Sequence, residues 1–234
     1  MMIRFSRPCL LVLCCILPVL SAYGQSTPED YFVFLTSGKS SEGIAKEIIQ
    51  QKQVAHIDNF KRLAKLGMLF AAGPCADPAK HTRGIVVIKA DSLDDAISKF
   101  GPDPYVTEGF LNAELNPYKV LAGKLQLVLE DVPLEESTIV ILSQGSGWED
   151  TNAEQSIDAI KQFVSAQHAA GKLGFAALFH GKTNDQAKRV AMMFFRGKVV
   201  PDVSATLESS AFVANKSIRF EAFPQYMAQG TIAK

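Results

Sequence analysis

The sequence predicts an α+β fold built from two small units that follow one another along the chain. Two observations support this prediction. Short apolar runs alternate with helical patterns in a fixed order over the first half, and the same order begins again after an acidic, proline-containing stretch. The 234 residues, less an N-terminal export signal, fit two domains of about 100 residues each. We therefore divide the chain into a signal at 1–24, a first domain at 25–120, a linker at 121–137 and a second domain at 138–234.

The N-terminal segment has the order of a secretory signal. Arg4 and Arg7 precede an apolar run at 9–20, and Ala22 and Gly24 are the small residues that a signal peptidase requires. An apolar run of about a dozen residues is too short to cross roughly 30 Å of hydrocarbon as a helix, which disfavours a retained membrane anchor. We expect cleavage near Gly24 and a periplasmic or secreted protein that has no membrane contact once the signal is removed.

The first unit has the order β-α-β-β-α-β. Its long helix contains no proline, carries apolar residues at helical spacing and ends at Gly67, and its later helices begin at Ser92 and at Asp103-Pro104. The predicted elements are strands at 31–36, 68–72, 84–90 and 111–118, and helices at 42–66 and 93–100, with a further short helix from 104. This order is that of the ferredoxin-like unit.

The second unit repeats the order after the linker. Residues 65–68 and 172–175 carry the matching phrases Lys-Leu-Gly-Met and Lys-Leu-Gly-Phe, which supports a duplication. The predicted elements are strands at 138–143, 173–179, 190–195 and 218–223, and helices at 153–170 and 203–207.

A four-stranded sheet with helices on one face leaves its other face apolar and exposed, so that face requires a partner. A chain with two such units can supply the partner itself. We therefore expect the two sheets to face each other across a shared apolar core, as an intramolecular α+β barrel, a pseudo-dimer within a monomer.

Composition narrows the range of partners. Lys+Arg and Asp+Glu balance at 24 each, so the chain lacks the basic surplus that binding to nucleic acid phosphates requires. The sequence contains no phosphate loop, dinucleotide glycine fingerprint or Gly-x-Ser-x-Gly phrase, and we expect no cofactor. Cys75, Asp77 and His81 lie close together, but their spacing matches no compact zinc pattern, so we expect no metal. A small-molecule ligand is compatible with this composition.

The first unit resembles the YCII-related family over about residues 31–120. The phrases that carry the resemblance occur in the family's order: His56, Gly67-Met68-Leu69, Ala72-Gly73-Pro74, Gly84, Ser92, Asp103-Pro104-Tyr105-Val106, Gly109 and Pro117. The resemblance implies that His56 and Asp103 form a catalytic pair in a pocket between sheet and helices. It also implies acid-base or elimination chemistry on small carbonyl compounds, because relatives include a dehalogenase of chlorinated muconolactones and the fold is similar to that of muconolactone isomerases.

Physical chemistry supports this pair but leaves alternatives open. A carboxylate bonded to one imidazole nitrogen fixes the tautomer and makes the other nitrogen a better base. However, His56 is also compatible with the solvent face of a polar helix, and Asp103 followed by Pro104 is also a helix N-cap signature. Arg83, just before the third strand, is a candidate for binding an anionic substrate, the alternative being a solvated strand-end arginine.

The second unit lacks the pair. Counting back from Gly174 as His56 counts back from Gly67 gives Phe163, and the position of Asp103 is taken by Ser210. Neither His168 nor His180 occupies an equivalent position. We therefore expect a single site, in the first unit, and a structural role for the second.

Two functions are compatible with these observations. The first is a small-molecule enzyme of the isomerase, lyase or dehalogenase type that uses His56 and Asp103. The second is a non-catalytic ligand-binding or scaffold protein that keeps the fold. A His56 ring close to the Asp103 carboxylate inside a concave pocket would favour the enzyme.

Overall fold

A computed structural model describes residues 29–128, 132–149 and 153–233. The predicted export signal and part of the predicted linker lie outside these residues. None of the helices among these residues combines the length and the apolar composition that a membrane-spanning helix needs.

The two halves contain the same elements in the same order. The first half consists of β1 (Glu29–Ser37), α1 (Lys46–Lys65), β2 (Leu69–Pro74), β3 (Thr82–Ala90), α2 (Leu93–Ser98), α3 (Pro104–Thr107) and β4 (Leu111–Gly123). The second consists of β5 (Leu134–Gln144), α4 (Ala153–Ala169), β6 (Leu173–Phe179), β7 (Arg189–Arg196), α5 (Val200–Glu208), α6 (Ala211–Ala214) and β8 (Ile218–Ala228). The predicted α+β class is confirmed.

The strands form one antiparallel sheet in the order β2-β3-β1-β4-β6-β7-β5-β8. The two four-stranded sheets are therefore hydrogen bonded edge to edge, through β4 and β6, in addition to facing each other. At the other edge, Ala76 N–H donates to the Pro224 carbonyl at 2.8 Å and Cys75 forms a bridge with Gln225, so β2 lies beside β8 and the sheet closes into a barrel.

The register of the strands shows how closely the halves correspond. Phe34 lies opposite Glu114, and Ile141 lies opposite Glu221, each residue 107 positions further along the chain. The barrel interior is filled by apolar side chains of both halves, and each half has a second apolar core between its sheet and its helices. Alternation along the strands produces these two layers, since successive side chains point to opposite faces.

The linker is shorter than the predicted 121–137. The end of β4 pairs with β6, so that Tyr118 lies opposite Phe179 and the strand extends to Gly123. The start of β5 pairs with the end of β8, so that the strand begins at Leu134. Both extensions depend on partners far away in the sequence, which local patterns do not reveal.

Candidate functional site

A cleft of about 860 Å³ lies between α1, α3 and the sheet of the first half. Its floor consists of small and apolar residues of β1, β2 and β3, and α1 forms one wall. Gly84 lets β2 and β3 approach closely beneath the cleft, since a Cβ at this position would lie 3.0 Å from the Gly73 carbonyl oxygen. Leu134 of the second half also lines the cleft, so both halves contribute to it.

His56 projects from the middle of α1 into this cleft. Its Nδ1 lies 2.6 Å from Oδ2 of Asp103, and the residue is only 8% exposed. The solvent-facing alternative for His56 is therefore wrong. An ionised carboxylate can only accept hydrogen bonds. This contact therefore favours the His56 tautomer that carries its hydrogen on Nδ1, which leaves the lone pair of Nε2 available. His56 lines the cleft, and Nε2 is the ring nitrogen that does not contact Asp103.

Asp103 is fully buried and uses both carboxylate oxygens. Oδ1 accepts a hydrogen bond from the Tyr105 backbone N–H at 3.0 Å and so caps α3, whereas Oδ2 binds His56. Pro104, at the first helical position, keeps the turn in place. The capping role and the role as partner of His56 are thus compatible, because each uses a different oxygen.

Aromatic rings hold the imidazole from two sides. The Phe60 ring lies 4.5 Å from the His56 ring and the Tyr105 ring 5.3 Å from it, both edge to face. Burial and the nearby Asp103 carboxylate raise the pKa of Tyr105, and Lys52 partly opposes them. The Tyr105 hydroxyl, which contacts the Ile49 carbonyl at 3.3 Å, therefore remains protonated and can act as a donor.

Arg83 lies at a β-bulge. Leu35 pairs with Gly84 and Thr36 pairs with Thr82, so Arg83 is the extra residue between them. Bulges re-aim side chains, and Arg83 belongs to the lining of the cleft while remaining exposed to solvent, so the alternative of a solvated strand-end arginine stays open. Within the described part of the chain, its guanidinium has no ion-pair partner.

The long helices of the two halves end in the same way. Gly67 and Gly171 both have positive φ. The hydrogen bonds at the two helix ends are equivalent, from Met68 N–H to the Leu63 carbonyl and from Lys172 N–H to the Gln167 carbonyl. The helices are therefore aligned on Gly67 and Gly171.

This alignment corrects the position that corresponds to His56. Gly171 takes the place that we gave to Gly174, and the counterpart of His56 is Ile160 instead of Phe163. Ile160 is fully buried, and Ser210, the counterpart of Asp103, binds the Leu207 carbonyl. The prediction that the second half lacks the pair stays the same.

Other site positions show the same contrast between the halves. Tyr105 corresponds to Phe212, which is buried against Phe163. Arg83 corresponds to Val190, the extra residue of the matching bulge in β7, which belongs to the apolar core. Polar groups that line the cleft in the first half are thus replaced by hydrocarbon in the second.

Asp77 and Cys75 lie just before the third strand. Both oxygens of Asp77 accept backbone N–H groups of its own loop. Burial, and then the charge of Asp77, raise the pKa of the Cys75 thiol, which keeps it protonated. Among the described residues, no group of three His, Cys, Asp or Glu side chains is arranged to hold a metal ion.

Sequence reasoning missed Tyr105 and Lys39 as site residues. Tyr105 follows the Asp-Pro phrase directly. Because it lies two residues after the capping Asp103, which contacts His56, the Asp-Pro phrase itself indicates that Tyr105 lies near His56. Lys39 lies in the loop after β1, and its place on the cleft depends on packing against Phe110, 4.4 Å from the ring centroid.

Comparison with known proteins agrees with this description. Residues 31–115 match the family model of the YCII-related domain, whereas none of the curated proteins compared with the chain matches its sequence.

Two solved structures illustrate the likeness in fold. Chlorite dismutase from Candidatus Nitrospira defluvii in complex with imidazole matches with a TM-score of 0.53 and 10% identity, over 86% of this chain and 91% of that chain. A Fusobacterium nucleatum protein named "Putative monooxygenase" matches with a TM-score of 0.50 and 9% identity, over 87% and 92% of the two chains. At these identities the likeness concerns the fold alone, an α+β barrel.

Proposed function

We propose that this chain, whose residues 31–115 form a YCII-related domain, is an exported enzyme that transfers protons on a small carbonyl or lactone compound. His56 is the general base, Asp103 orients it, and Arg83 binds an anionic group of the substrate. The observation that carries the proposal is the 2.6 Å contact between His56 Nδ1 and Asp103 Oδ2 at the wall of a cleft.

The reaction that suits this arrangement begins with removal of a proton from carbon next to a carbonyl group. His56 Nε2 takes the proton, and the electron pair of the C–H bond moves into an enolate. Where the substrate carries a β,γ double bond, the enolate is conjugated with it, and the imidazolium, stabilised by the Asp103 carboxylate, returns the proton to the γ carbon, which gives an isomerisation. Alternatively, the enolate re-forms the carbonyl group and expels a leaving group from the β carbon, which gives an elimination with a new α,β double bond; the proton on the imidazolium then passes to the leaving group or to solvent. Neither course needs an oxidant or a reductant.

The test is a screen of lactones, dienelactones and aromatic acids for turnover by the wild type and by His56→Ala. Loss of the base is expected to lower the rate by roughly 10²–10⁴-fold. His168→Ala is the matched control, because His168 is a helical histidine of the second half that binds the Leu173 carbonyl at 3.1 Å. Equal turnover by wild type and His56→Ala would overturn the proposal.

The second candidate is non-catalytic ligand binding. The cleft is large enough for it, since about 860 Å³ lies within the range of roughly 300–1,000 Å³ that small-molecule pockets span. This candidate predicts ligands that raise the melting temperature of wild type and His56→Ala equally, with no chemical change of the ligand.

Export is the remaining part of the proposal. It rests on positions 1–24, where basic residues are followed by an apolar run and then by small residues. N-terminal sequencing of the protein from an exporting host should give a first residue near Gln25. Recovery of the chain with Met1 intact from the membrane fraction would contradict it.

A further inference from the structure

The formally charged side chains that line the cleft are all positive. Two cations, Lys39 and Arg83, belong to the lining, and among its described residues none is Asp or Glu. A third cation nearby, Lys52, is already paired with Glu108. Lys39 and Arg83 are both exposed to solvent, and two positive charges without a carboxylate on the same lining favour an anionic ligand.

The two cations stand at the same end of the cleft. Arg83 lies at the bulge where β3 begins, and Lys39 follows the end of β1, where Ser37 N–H donates to the His81 carbonyl at 2.8 Å. Among the described residues, the carboxylate of the adjacent loop, Asp77, forms no ion pair with either cation, and its oxygens accept backbone N–H groups. This end of the cleft is therefore suited to an oxyanion such as a carboxylate or phosphate.

The rest of the lining is mostly hydrocarbon and extends to the mouth. Ile57 of α1 is 40% exposed and Leu134 of β5 is 62% exposed, although both line the cleft. The apolar wall continues inward along Ile49 and Phe60. The apolar body of a ligand in the cleft would lie against Ile57 and Leu134 and remove them from water.

We propose that the ligand is an extended amphiphilic organic acid. Its oxyanion binds Arg83 and Lys39, and its apolar body lies along α1 towards Leu134. This inference deepens the proposed function, because it takes the cleft as the ligand site and names the class of compound.

Calorimetric titration of the full chain tests the inference. The ligands are butanoate, hexanoate, octanoate and decanoate, together with the alkyl phosphates and alcohols of the same chain lengths. All are used below their critical micelle concentrations. Each methylene that becomes buried is expected to tighten binding by roughly fourfold. Each alcohol is expected to bind about tenfold more weakly than its acid, or weaker still, because the charge-assisted hydrogen bonds are lost. The tighter of the carboxylate and phosphate series identifies the oxyanion.

Variants separate the two parts of the ligand. Arg83→Gln and Lys39→Gln should weaken binding of the acids and leave the alcohols unchanged, whereas Leu134→Ser should reduce the gain per methylene. Lys61→Gln is the control, since Lys61 is an exposed lysine of α1 that contacts Asp58 at 3.5 Å and does not line the cleft. Alcohols that bind as tightly as acids, affinity independent of chain length, or no binding by any series would each overturn the inference.

Titration of His56→Ala distinguishes this inference from the proposed function. If the acids bind to wild type and variant alike but no compound is turned over, the proposed reaction fails and the inference stands. If a neutral lactone is turned over through His56 while no acid binds, the inference fails and the reaction stands.

Discussion

Asp103 is bonded to His56 through one carboxylate oxygen and caps α3 through the other, at 2.6 Å and 3.0 Å. The turn that begins α3 therefore also fixes the position of the acid that orients the imidazole. Because Asp103 is fully buried, neither bond competes with bulk water. The pair thus forms because the residue that caps α3, Asp103, lies next to the histidine of α1, His56.

The halves are also joined by an ion pair across the barrel. Arg189 of β7 contacts Glu114 of β4 and Asp185, the latter at 2.8 Å, and its guanidinium lies 4.1 Å from the centre of the Phe34 ring. Arg189→Met leaves two carboxylates without their counter-charge and should lower the free energy of unfolding by about 3 kcal/mol or more. Urea unfolding measures the loss.

Arg196→Met is the matched control for that change, on the same strand. Arg196 is exposed and donates to the Ala233 carbonyl, so its loss should change the free energy of unfolding by no more than about 0.5 kcal/mol. Equal effects of the two substitutions would show that the ion pair across the barrel contributes nothing.

Closure of the barrel requires Gly73. A Cβ there would come within 1.7 Å of the Tyr226 carbonyl oxygen on β8. Gly73→Ala should therefore separate β2 from β8 and cost about 3 kcal/mol of unfolding free energy or more. Gly101→Ala, whose Cβ would lie 3.2 Å from the Ser98 carbonyl, should cost much less. A Gly73→Ala protein as stable as wild type would argue against the close approach of these strands.

The Cys75 thiol should be unreactive in the folded protein. Burial raises its pKa above the ordinary value of 9.0, and the thiolate is the species that reacts. Alkylation followed by peptide mass spectrometry should proceed at least about tenfold faster in urea than in the native state. Since the unfolded chain ionises first, stability should also fall as pH rises above the ordinary thiol pKa. Similar rates in both states would show an exposed thiol.

Ile160 tests the difference between the halves. Truncation to alanine removes fully buried hydrocarbon at the position that corresponds to His56, and should lower the free energy of unfolding by about 2–5 kcal/mol. Ligand binding in the first half should be unchanged wherever the variant is folded. A thermal-shift titration measures both quantities, and a variant that remains stable but loses ligand affinity would place a second site there.

The order of helices and strands was predictable because each element carries its own local signal, such as the proline-free helix that ends at Gly67. The length of β4 was not, since its last residues pair with β6. The counterpart of His56 was also predicted wrongly, because the shared Lys-Leu-Gly phrase favours Gly174, whereas the helix actually ends at Gly171. The helix ends at Gly171 because this residue adopts a positive φ, a backbone conformation that glycine reaches without strain.

The candidate site divides in the same way. Asp103 was predictable from its Asp-Pro phrase, and His56 from the order of the family's phrases. The direction of Arg83 depends on a bulge between β1 and β3, and the place of Lys39 on the packing of a loop. Interactions between distant segments determine both, so no local pattern indicates them.

The tautomer of His56, observed by nitrogen NMR of the imidazole in wild type and in Asp103→Asn, tests the central claim most directly. The Asp103 carboxylate accepts only, so the wild type should carry its hydrogen on Nδ1 and leave Nε2 free as the base. Asparagine keeps the cap nearly as well as aspartate, but its amide group can donate to Nδ1, so the hydrogen should move to Nε2. A wild-type ring with hydrogen on Nε2, or a tautomer that does not change in Asp103→Asn, would contradict the assignment of His56 and Asp103 as an acid-base pair.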